Sequence, residues 1–394
     1  MSISDSISLY IHIPFCRLKC SYCDFNTYAG LDPLIPSYVD AVCTEIRHYQ
    51  GCEITNIGTI FFGGGTPSLL PATSLAQILT AVKATFELKP DIELSLESNP
   101  GTLNPVYLNS LLNLGFNRIS IGAQSAISSE LQLLDRLHTF RHVIQSYKDA
   151  LSAGFNQINL DLMYGLPNQT ESSWKHTLSQ VVDLGAQHLS LYSLHLEQDT
   201  PMFSRVDSGY LPHPNSDITA NMYKYADTFL KSHNYNQYEI SNWSITSNYS
   251  ECRHNLQYWQ NLPYIGIGAG AHSWYKQHRY TNTKSPYEYI KLLNLNVSAK
   301  EHRVDYPGTP AMIQSTLIDT DTEMNETMML GLHLLASGVR HNEFQSRFGA
   351  NPKNHYKSIL SQLVSQGLLH NDHNGIRLTT SGRLLANRVF SEFT

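Results

Sequence analysis

The chain lacks a strong excess of charge of either sign. Its 394 residues contain 27 Lys and Arg and 33 Asp and Glu, which gives a formal net charge of −6. A dedicated nucleic-acid-binding protein would carry a basic surface, so we expect no nucleic-acid partner. The sequence also has no apolar run of about 18 residues, the length that a membrane-spanning helix needs. Because the first residues, MSISDSISLY, include an acid and no basic stretch, they do not look like a secretory signal, and we expect a cytoplasmic protein.

Cysteine is scarce, and its distribution is uneven. Six cysteines in a chain of 394 residues are too few for a disulfide scaffold. Half of them form a C-x3-C-x2-C group, Cys16, Cys20 and Cys23, directly after the first predicted strand. In a reducing compartment such a group predicts a bound metal ion or iron-sulfur cluster. The isolated cysteines, which we expect to be unreactive, are Cys43, Cys52 and Cys252.

The spacing of these cysteines allows two interpretations. Three thiolates can hold three irons of a 4Fe-4S cluster, which leaves the fourth iron open to a small molecule. The alternative is a structural zinc site completed by His12 or by a distant residue. Structural zinc favours two pairs of ligands, and the sequence contains no second C-x2-C or H-x3-H pair. The pattern therefore favours the cluster and leaves zinc as the alternative.

Helices and strands are predicted to alternate along most of the chain. A weak repeat, in which a glycine precedes a β-rich run, occurs in LGFNRISIG, AGFNQINLD and LGAQHLSLY. We expect Gly115, Gly154 and Gly185 to end helices in the left-handed conformation. This alternation indicates a parallel sheet of βα units. The further predicted strands are 7–13, 57–62, 91–97 and a last one near 236–241.

Candidate ligand groups follow several of these strands. Gly63, Gly64 and Gly65 precede Thr66 and Pro67, but the segment fits neither a Walker A loop nor a dinucleotide fingerprint, so a plain tight turn is the alternative. Polar side chains also stand at the ends of later strands, and for each of them a purely local role is the alternative. These residues are Glu97, Gln124, Asp161 and His195.

The distribution of these groups over many strand ends predicts the fold class. An open doubly wound sheet binds its ligand at one switch point, whereas a barrel collects residues from the carboxyl ends of many strands. About six βα units are visible, where eight would close a barrel. We therefore predict an α/β protein with a partial, laterally open (β/α)6 TIM-like barrel.

The end of the chain has a different pattern. Between about 280 and 320 the sequence pattern becomes irregular, with Pro286, Pro307, Gly308 and Pro310. Two predicted helices, the segment GIRLTTSGR and a final helix then follow in the order of a winged-helix module. The balanced charge of this part favours a packing or lid role over DNA binding. The predicted divisions are a barrel over 1–280, a linker or excursion over 281–310, and a helical, winged-helix-like domain over 311–394.

The cysteine spacing, with Tyr22 before the last cysteine, resembles that of the radical S-adenosylmethionine (SAM) superfamily. This resemblance implies that SAM chelates the open iron and that one-electron reduction of its sulfonium yields a 5′-deoxyadenosyl radical. The segment GGGTP then resembles the one that receives the amino group of SAM. The match of Arg136 to the superfamily depends on the arginine alone, because its surroundings, LLDRLHTF, depart from the usual LGRxH pattern. The implied SAM contacts are Tyr10, Gly64, Gly65, Thr66, Glu97, Gln124, Arg136 and Asp161.

Nearly the whole chain resembles the oxygen-independent coproporphyrinogen III oxidase family. The decarboxylating oxidases of that family carry a fourth cysteine two residues after the third and a longer N-terminal segment, whereas Phe25 occupies that position here. The chain is more similar to the HemW branch of heme chaperones. The segments that carry the resemblance are YIHIPFC, FFGGGTPS, ESNPGTL, RISIGAQS, DLMYGLP, LSLYSL, YEISNW, RHNLQYW and IGIGAGAHS.

The segment HNLQYW matches the H-N-x-x-Y-W motif of the heme chaperones. His and Tyr are known axial ligands of heme iron, and Trp can stack on a porphyrin, so His254, Asn255, Tyr258 and Trp259 are candidate heme contacts. The alternative is a structural corner in which Asn255 and Tyr258 bond the backbone.

The resemblance implies a heme chaperone that binds heme and delivers it to heme-requiring proteins such as membrane-associated respiratory enzymes. It also implies an electron donor for the cluster and leaves open whether SAM is cleaved. The alternative is an oxygen-independent coproporphyrinogen III oxidase, an enzyme of porphyrin biosynthesis that forms protoporphyrinogen IX by two decarboxylations.

Overall fold

The computed structural model describes residues 6–54, 56–245, 250–295 and 308–394. Most of them belong to one large sheet and the helices that pack against it. The strands of the described residues are β1 (Ile7–Ile13), β2 (Phe15–Cys16), β3 (Tyr28–Ala29), β4 (Ile57–Gly64), β5 (Leu88–Ser98), β6 (Arg118–Gln124), β7 (Gln157–Tyr164), β8 (His188–Ser193), β9 (Tyr235–Glu239), β10 (Asn242–Ile245), β11 (Tyr264–Ile267), β12 (His272–Tyr275), β13 (His278–Asn282), β14 (Met312–Leu317), β15 (Val339–Arg340), β16 (Leu369–Asn371) and β17 (Gly375–Leu378).

The α-helices lie mostly between the strands. In the same ranges they are α1 (Ile35–His48), α2 (Ala72–Thr85), α3 (Pro105–Leu114), α4 (Ser128–Leu133), α5 (Phe140–Ala153), α6 (Glu171–Leu184), α7 (Pro201–Asp207), α8 (Ser216–Ser232), α9 (Arg253–Trp259), α10 (Pro286–Asn294), α11 (Thr320–Gly331), α12 (His341–Phe348), α13 (Pro352–His355), α14 (Lys357–Ser365), α15 (Thr380–Leu384) and α16 (Ala386–Phe390). None of these helices is long and apolar enough to cross a membrane.

Six strands follow one another in space in the same order as in the chain. Strands β1, β4, β5, β6, β7 and β8 are neighbours in that order, and all of these pairs are parallel. Such a sequential order is the winding of a barrel, because a doubly wound sheet reverses its strand order at the switch point. The predicted fold class, an α/β protein with a partial (β/α)6 barrel, is confirmed.

The sheet is extended by antiparallel strands on both sides. β11 pairs parallel with β1 and leads into the antiparallel strands β12, β13 and β14, while β10 and β9 continue from β8. The strand predicted near 236–241 therefore exists as β9, but it is an antiparallel edge and not part of a further parallel unit. Its direction follows from the short turn between Glu239 and Asn242, since parallel strands need a long crossover.

The helix ends follow the sequence signals. Gly115, Gly154 and Gly185 end α3, α5 and α6 with φ of 100°, 116° and 77°, as predicted. The side chains of Asn104 and Thr170 accept hydrogen bonds from the first turns of α3 and α6. Each helix consequently returns the chain to the start of the next parallel strand at the correct place.

The side chains of the barrel strands alternate between two environments. Leu9, Ile60, Ile119 and Leu160 belong to one apolar core with the surrounding helices, and each is at most 1% exposed. The residues between them are largely polar and face the interior of the barrel, where they bond to one another. The barrel interior thus contains hydrogen-bonded polar side chains enclosed by an apolar layer.

The C-terminal part has its own apolar core, formed by residues between Met324 and Phe393. Its three-stranded antiparallel sheet has the order β15-β17-β16 and packs with α11 to α16. The segment that we interpreted as a linker contains helix α10, which begins at Pro286 with a cap from Ser285, so it is not wholly irregular. Residues 296–307 lie outside the described residues, and the division of the chain at 281–310 stays a prediction.

Candidate functional site

The three clustered cysteines lie beside the carboxyl ends of β1 and β4. Cys16 Sγ is 3.7 Å from Thr66 Oγ1, and Cys20 Sγ is 3.5 Å from Nη1 of Arg136. Burial raises the pKa of the Cys16 thiol, and the nearby Cys23 and Cys20 raise it further, against a lowering by Thr66. Three sulfurs that repel one another as thiolates favour a positively charged metal centre among them. Within the described ranges, no three His, Cys, Asp or Glu side chains converge on the position of a single metal ion. The 4Fe-4S cluster that the cysteine spacing favours does not need this, because each thiolate binds a different iron.

The Gly64–Thr66 loop packs directly against the cysteine loop. The N–H of Gly65 donates to the carbonyl of Ile13, and the N–H of Thr66 donates to the carbonyl of Phe15, both at 2.8 Å. A Cβ at residue 65 would lie 2.5 Å from that Phe15 oxygen and 3.0 Å from Cys16 Sγ. A residue with a side chain therefore does not fit, and the glycine explains how the two loops come into contact.

Two carboxyl groups face the barrel interior beneath this loop. Glu97 Oε2 accepts a 2.9 Å hydrogen bond from the N–H of Gly64, while Asp161 accepts from Ser120 and Asn159 at 2.8 Å. Burial and the charge of Asp161 raise the pKa of Glu97 to about 8, and burial also raises the pKa of Asp161. A cationic ligand would stabilise the charged forms of these two buried acids.

Arg136 lies on the other side of the same space. Its Nη2 donates to Asn99 Oδ1 and to the carbonyl of Gly122, and Asn99 Nδ2 donates to Thr66 Oγ1 at 2.8 Å. Gln124 ends β6 with a left-handed φ of 65°, and its Nε2 lies close to residue 122. Cys20, Thr66, Asn99 and Arg136 line a cavity of about 270 Å³.

Tyr10 is placed between this space and the floor of the barrel. Its hydroxyl is 3.0 Å from Nδ1 of His12, and its ring lies beside those of Phe61 and His254. Burial and the charge of Glu97 raise the pKa of Tyr10 well above its usual value. Of the predicted SAM contacts, Thr66 and Arg136 line the cavity, and Glu97 is bonded to the neighbouring Gly64. His195, a candidate at a strand end, lies exposed beyond β8.

Sequence reasoning did not identify several polar residues of this site. Asn99 connects Thr66 to Arg136, and it stands two positions after Glu97 in the segment ESNP, so its position at a strand end was a usable signal. Deeper in the barrel, Asn159 links Asp161 to His188, whose Nε2 is 2.8 Å from the Tyr238 hydroxyl. The alternating polar residues of each strand were visible in the sequence, but alternation alone cannot distinguish a barrel interior from a solvent-facing side.

The H-N-x-x-Y-W motif forms helix α9 at the floor of the barrel. His254 is 1% exposed, its Nδ1 lies 2.7 Å from Thr59 Oγ1, and its Nε2 lies 3.0 Å from the Tyr258 hydroxyl. Both ring nitrogens are therefore used within the protein. Glu93 accepts hydrogen bonds from the backbone N–H groups of Arg253 and His254 at 3.0 Å, which fixes the start of α9.

The end of the motif has a different environment. The Trp259 ring stacks on that of His333, with centroids 4.1 Å apart and planes 7° from parallel. Within the described residues, the side chain of Asn255 makes no hydrogen bond. The structure therefore supports a packing role for His254 and Tyr258, while a contact of this motif with heme stays a prediction.

Comparisons with known proteins agree with this architecture. Residues 10–181 match the model of the radical SAM superfamily, and residues 318–385 match that of the HemN C-terminal domain. The coproporphyrinogen III oxidase HemN of Escherichia coli, described as a radical SAM enzyme, has a TM-score of 0.82 and 21% identity, with 100% of this chain and 91% of that chain covered. This likeness shows the fold alone.

Two relatives are similar over nearly their full length. The heme chaperone HemW of Lactococcus lactis is 35% identical over 386 residues, covering 98% of this chain and 97% of the relative. The heme chaperone HemW of Bacillus subtilis is 34% identical over 388 residues, with 98% of each chain covered. At this identity and coverage, the chain belongs to the HemW family of radical SAM proteins.

Proposed function

We propose that this protein is a radical SAM heme chaperone, which binds heme and delivers it to heme-requiring proteins. The observation that carries the proposal is the full-length similarity to proteins named heme chaperones, 35% in one case. Phe25 favours the heme chaperones over the decarboxylating oxidases of the family. It stands where the sequence resemblance places a fourth cysteine in those oxidases, and its side chain, which is 61% exposed, has no thiol.

In this proposal, Cys16, Cys20 and Cys23 hold a 4Fe-4S cluster with one iron open to SAM. The bound cluster supplies one-electron chemistry toward the sulfonium of SAM. The packing of Cys16 against Gly65 supports this assignment, since the Gly64–Thr66 loop directly adjoins the thiols.

Charged groups inside the barrel and beside the cysteine loop support the position of SAM. Glu97 and Asp161 face the interior as buried acids and would attract the ammonium and sulfonium groups. Arg136 lies beside Cys20 and would receive the carboxylate of the same ligand. The backbone of Gly64 and Gly65, with Tyr10, Thr66 and Gln124, completes the proposed contacts.

Delivery requires partners beyond SAM. We propose heme as the cargo, heme-acceptor proteins such as membrane-associated respiratory enzymes as recipients, an electron donor for the cluster, and the cytoplasm as the location. The part of the chain described by the structure contains no helix that could span a membrane.

Anaerobic reconstitution followed by optical titration with hemin tests the function. We expect saturation at about one heme per chain and transfer of that heme to an apo heme protein. A wild-type protein that holds its cluster but retains no heme would contradict the chaperone function.

A second assay separates the chaperone from the alternative enzyme. Reconstituted protein is incubated with SAM, a reductant and coproporphyrinogen III, and the porphyrin products are separated by chromatography. We expect no protoporphyrinogen IX, and its formation over many turnovers would favour the oxidase.

A further inference from the structure

His333 has a ring nitrogen with the geometry that a metal ligand needs. Its Nδ1–H donates to the carbonyls of Met329 and Leu330 at 3.0 and 3.2 Å, which places the lone pair on Nε2. Within the described residues, Nε2 has no hydrogen-bond partner. A histidine that binds a metal ordinarily fixes its other nitrogen in this way, by donating to a backbone carbonyl.

Aromatic rings cover both faces of the His333 imidazole, so a ligand could approach only along its edge, which carries Nε2. His333 stacks between Trp259 and Phe390, with centroid distances of 4.1 and 4.2 Å, and it is only partly buried. Burial lowers the pKa of His333 to about 4, so the imidazole is neutral at neutral pH. Among the described residues, Nε1 of Trp259 is a buried donor without an acceptor, a feature that native structures rarely leave unexplained.

The C-terminal core holds this stack in a fixed position. Asn261 Nδ2 donates to Thr327 Oγ1 at 3.0 Å, and Arg347 donates to the carbonyl of Asn261 at 2.8 Å and to Glu323 at 2.6 Å. These bonds join the end of α9 to α11 and α12. The position of Trp259 relative to His333 is therefore set by buried contacts on both sides.

His254 does not have these properties. Both of its ring nitrogens have partners, and it is 1% exposed at the floor of the barrel. A ligand that reached it would have to displace Thr59 or Tyr258. Iron binding there would cost one of these hydrogen bonds in a buried site, whereas binding at Nε2 of His333 costs none.

We propose that heme is bound beside the Trp259–His333–Phe390 stack, with Nε2 of His333 as an axial ligand of the iron and Trp259 Nε1 as a donor to a propionate. This inference rests on the proposed chaperone function and names its heme-binding site. The competing explanation is that His333 only caps the end of α11, because histidines often bond the last carbonyls of a helix.

His233 provides a matched control for that explanation. It follows α8, its Nδ1–H donates to the carbonyl of Phe229 at 2.8 Å, and its ring contacts that of Phe229 with centroids 4.3 Å apart and planes tilted by 43°. It shares the capping geometry of His333 but has no tryptophan beside it. His233→Gln should therefore reproduce any effect that comes from capping alone.

The experiment compares hemin titration and resonance Raman spectra of wild type, His333→Gln, His333→Met and His233→Gln, all with reconstituted cluster. We expect His333→Gln to lose the iron–imidazole stretching band of the ferrous protein and to bind hemin about tenfold or more weakly. His333→Met should replace that band with a thioether-type spectrum, and His233→Gln should match wild type. Cluster content and thermal unfolding show that each variant is folded.

The outcomes separate the two proposals. Wild type that binds no hemin contradicts the chaperone function itself. Wild type that binds hemin, with unchanged spectra and affinity in both His333 variants, overturns the assignment of the ligand while the function stands. Equal losses in His333→Gln and His233→Gln would also overturn it, because capping would then explain both.

Discussion

At the scale of single residues, the site depends on a cluster of thiols. Burial, with a contribution from neighbouring cysteines, raises the pKa of Cys16 and of Cys23. Cys43 is different, since it is fully buried in α1 and belongs to the apolar core. The chain therefore contains clustered cysteines suited to iron and an isolated one suited to packing.

Removal of any clustered thiol should eliminate the cluster. We expect Cys16→Ala, Cys20→Ala and Cys23→Ala each to abolish the brown chromophore and the acid-labile sulfide, because three ligands are the minimum for this type of site. Cys43→Ala should keep both, with a small loss of stability. Absorption spectra and sulfide analysis after anaerobic reconstitution provide the test, and equal losses in all four variants would show that the ligands are misassigned.

The buried His254 should make the protein sensitive to acid. Burial lowers its pKa to about 3, against a usual value of 6.5. Below pH 6.5 the unfolded chain therefore takes up a proton that the folded chain refuses, and the free energy of unfolding falls until the pH reaches the folded pKa. Between pH 6.5 and 5.5 we expect this histidine to account for a loss of about 1 kcal/mol.

Urea unfolding of wild type and His254→Gln at both pH values measures that loss. The wild type should lose about 1 kcal/mol more than the variant over this pH unit, since glutamine does not titrate. The same pH dependence in both proteins would mean that His254 is not the buried neutral group that the structure shows.

At the scale of secondary-structure elements, the contact between two loops determines the site. The Gly64–Thr66 loop and the cysteine loop follow neighbouring strands, β4 and β1, and they are joined by backbone hydrogen bonds at 2.8 Å. The close approach leaves no space for a Cβ at Gly65. The chemistry of the site therefore depends on a backbone fit as much as on side chains.

Gly65→Ala should disturb that fit. The new Cβ would lie 2.5 Å from the carbonyl oxygen of Phe15, a backbone atom that cannot move alone, so we expect a destabilisation of about 1–3 kcal/mol and poorer cluster retention. Gly308→Ala is the control, because a Cβ there meets nothing within 4 Å in the described part of the chain. Iron content and chemical unfolding measure both effects, and normal cluster content in Gly65→Ala would contradict this role.

Many of the helices and strands were predictable from the sequence, and there are physical reasons why the others were not. The six parallel strands and the glycine helix ends were found because hydrophobic pattern and left-handed glycine are local signals. We did not predict the hairpin of β9 and β10 or the strands from β12 to β14, because the pairing of short antiparallel strands depends on distant partners. Asn99 was missed because its role arises only when Thr66 and Arg136 come together.

At the scale of the whole molecule, the C-terminal core packs against the floor of the barrel through an ion pair, backbone hydrogen bonds and aromatic contacts. Arg347 of α12 bonds Glu323 of α11 and the backbone of Asn261 after α9. The exposed fractions of the Arg347 and Glu323 side chains are 17% and 11%, so the pair is largely removed from solvent. This connection places the C-terminal domain next to the H-N-x-x-Y-W helix.

Loss of Arg347 should weaken the whole structure. Arg347→Ala would leave Glu323 largely buried without its ion pair, and we expect the free energy of unfolding to fall by about 2–3 kcal/mol. Arg340→Ala is the matched control, since its pair with Glu343 is exposed at 53% and 51% and should contribute less than about 1 kcal/mol. Urea unfolding distinguishes the two, and equal effects would contradict a structural role for the buried pair.

The most direct measurement is metal and sulfide analysis of anaerobically purified protein, combined with electron paramagnetic resonance of the reduced protein before and after addition of SAM. We expect about four irons and four sulfides per chain and a change in the cluster signal when SAM binds. Protein that contains zinc without sulfide, or a cluster signal that SAM leaves unchanged, would contradict a cluster with one iron open to SAM.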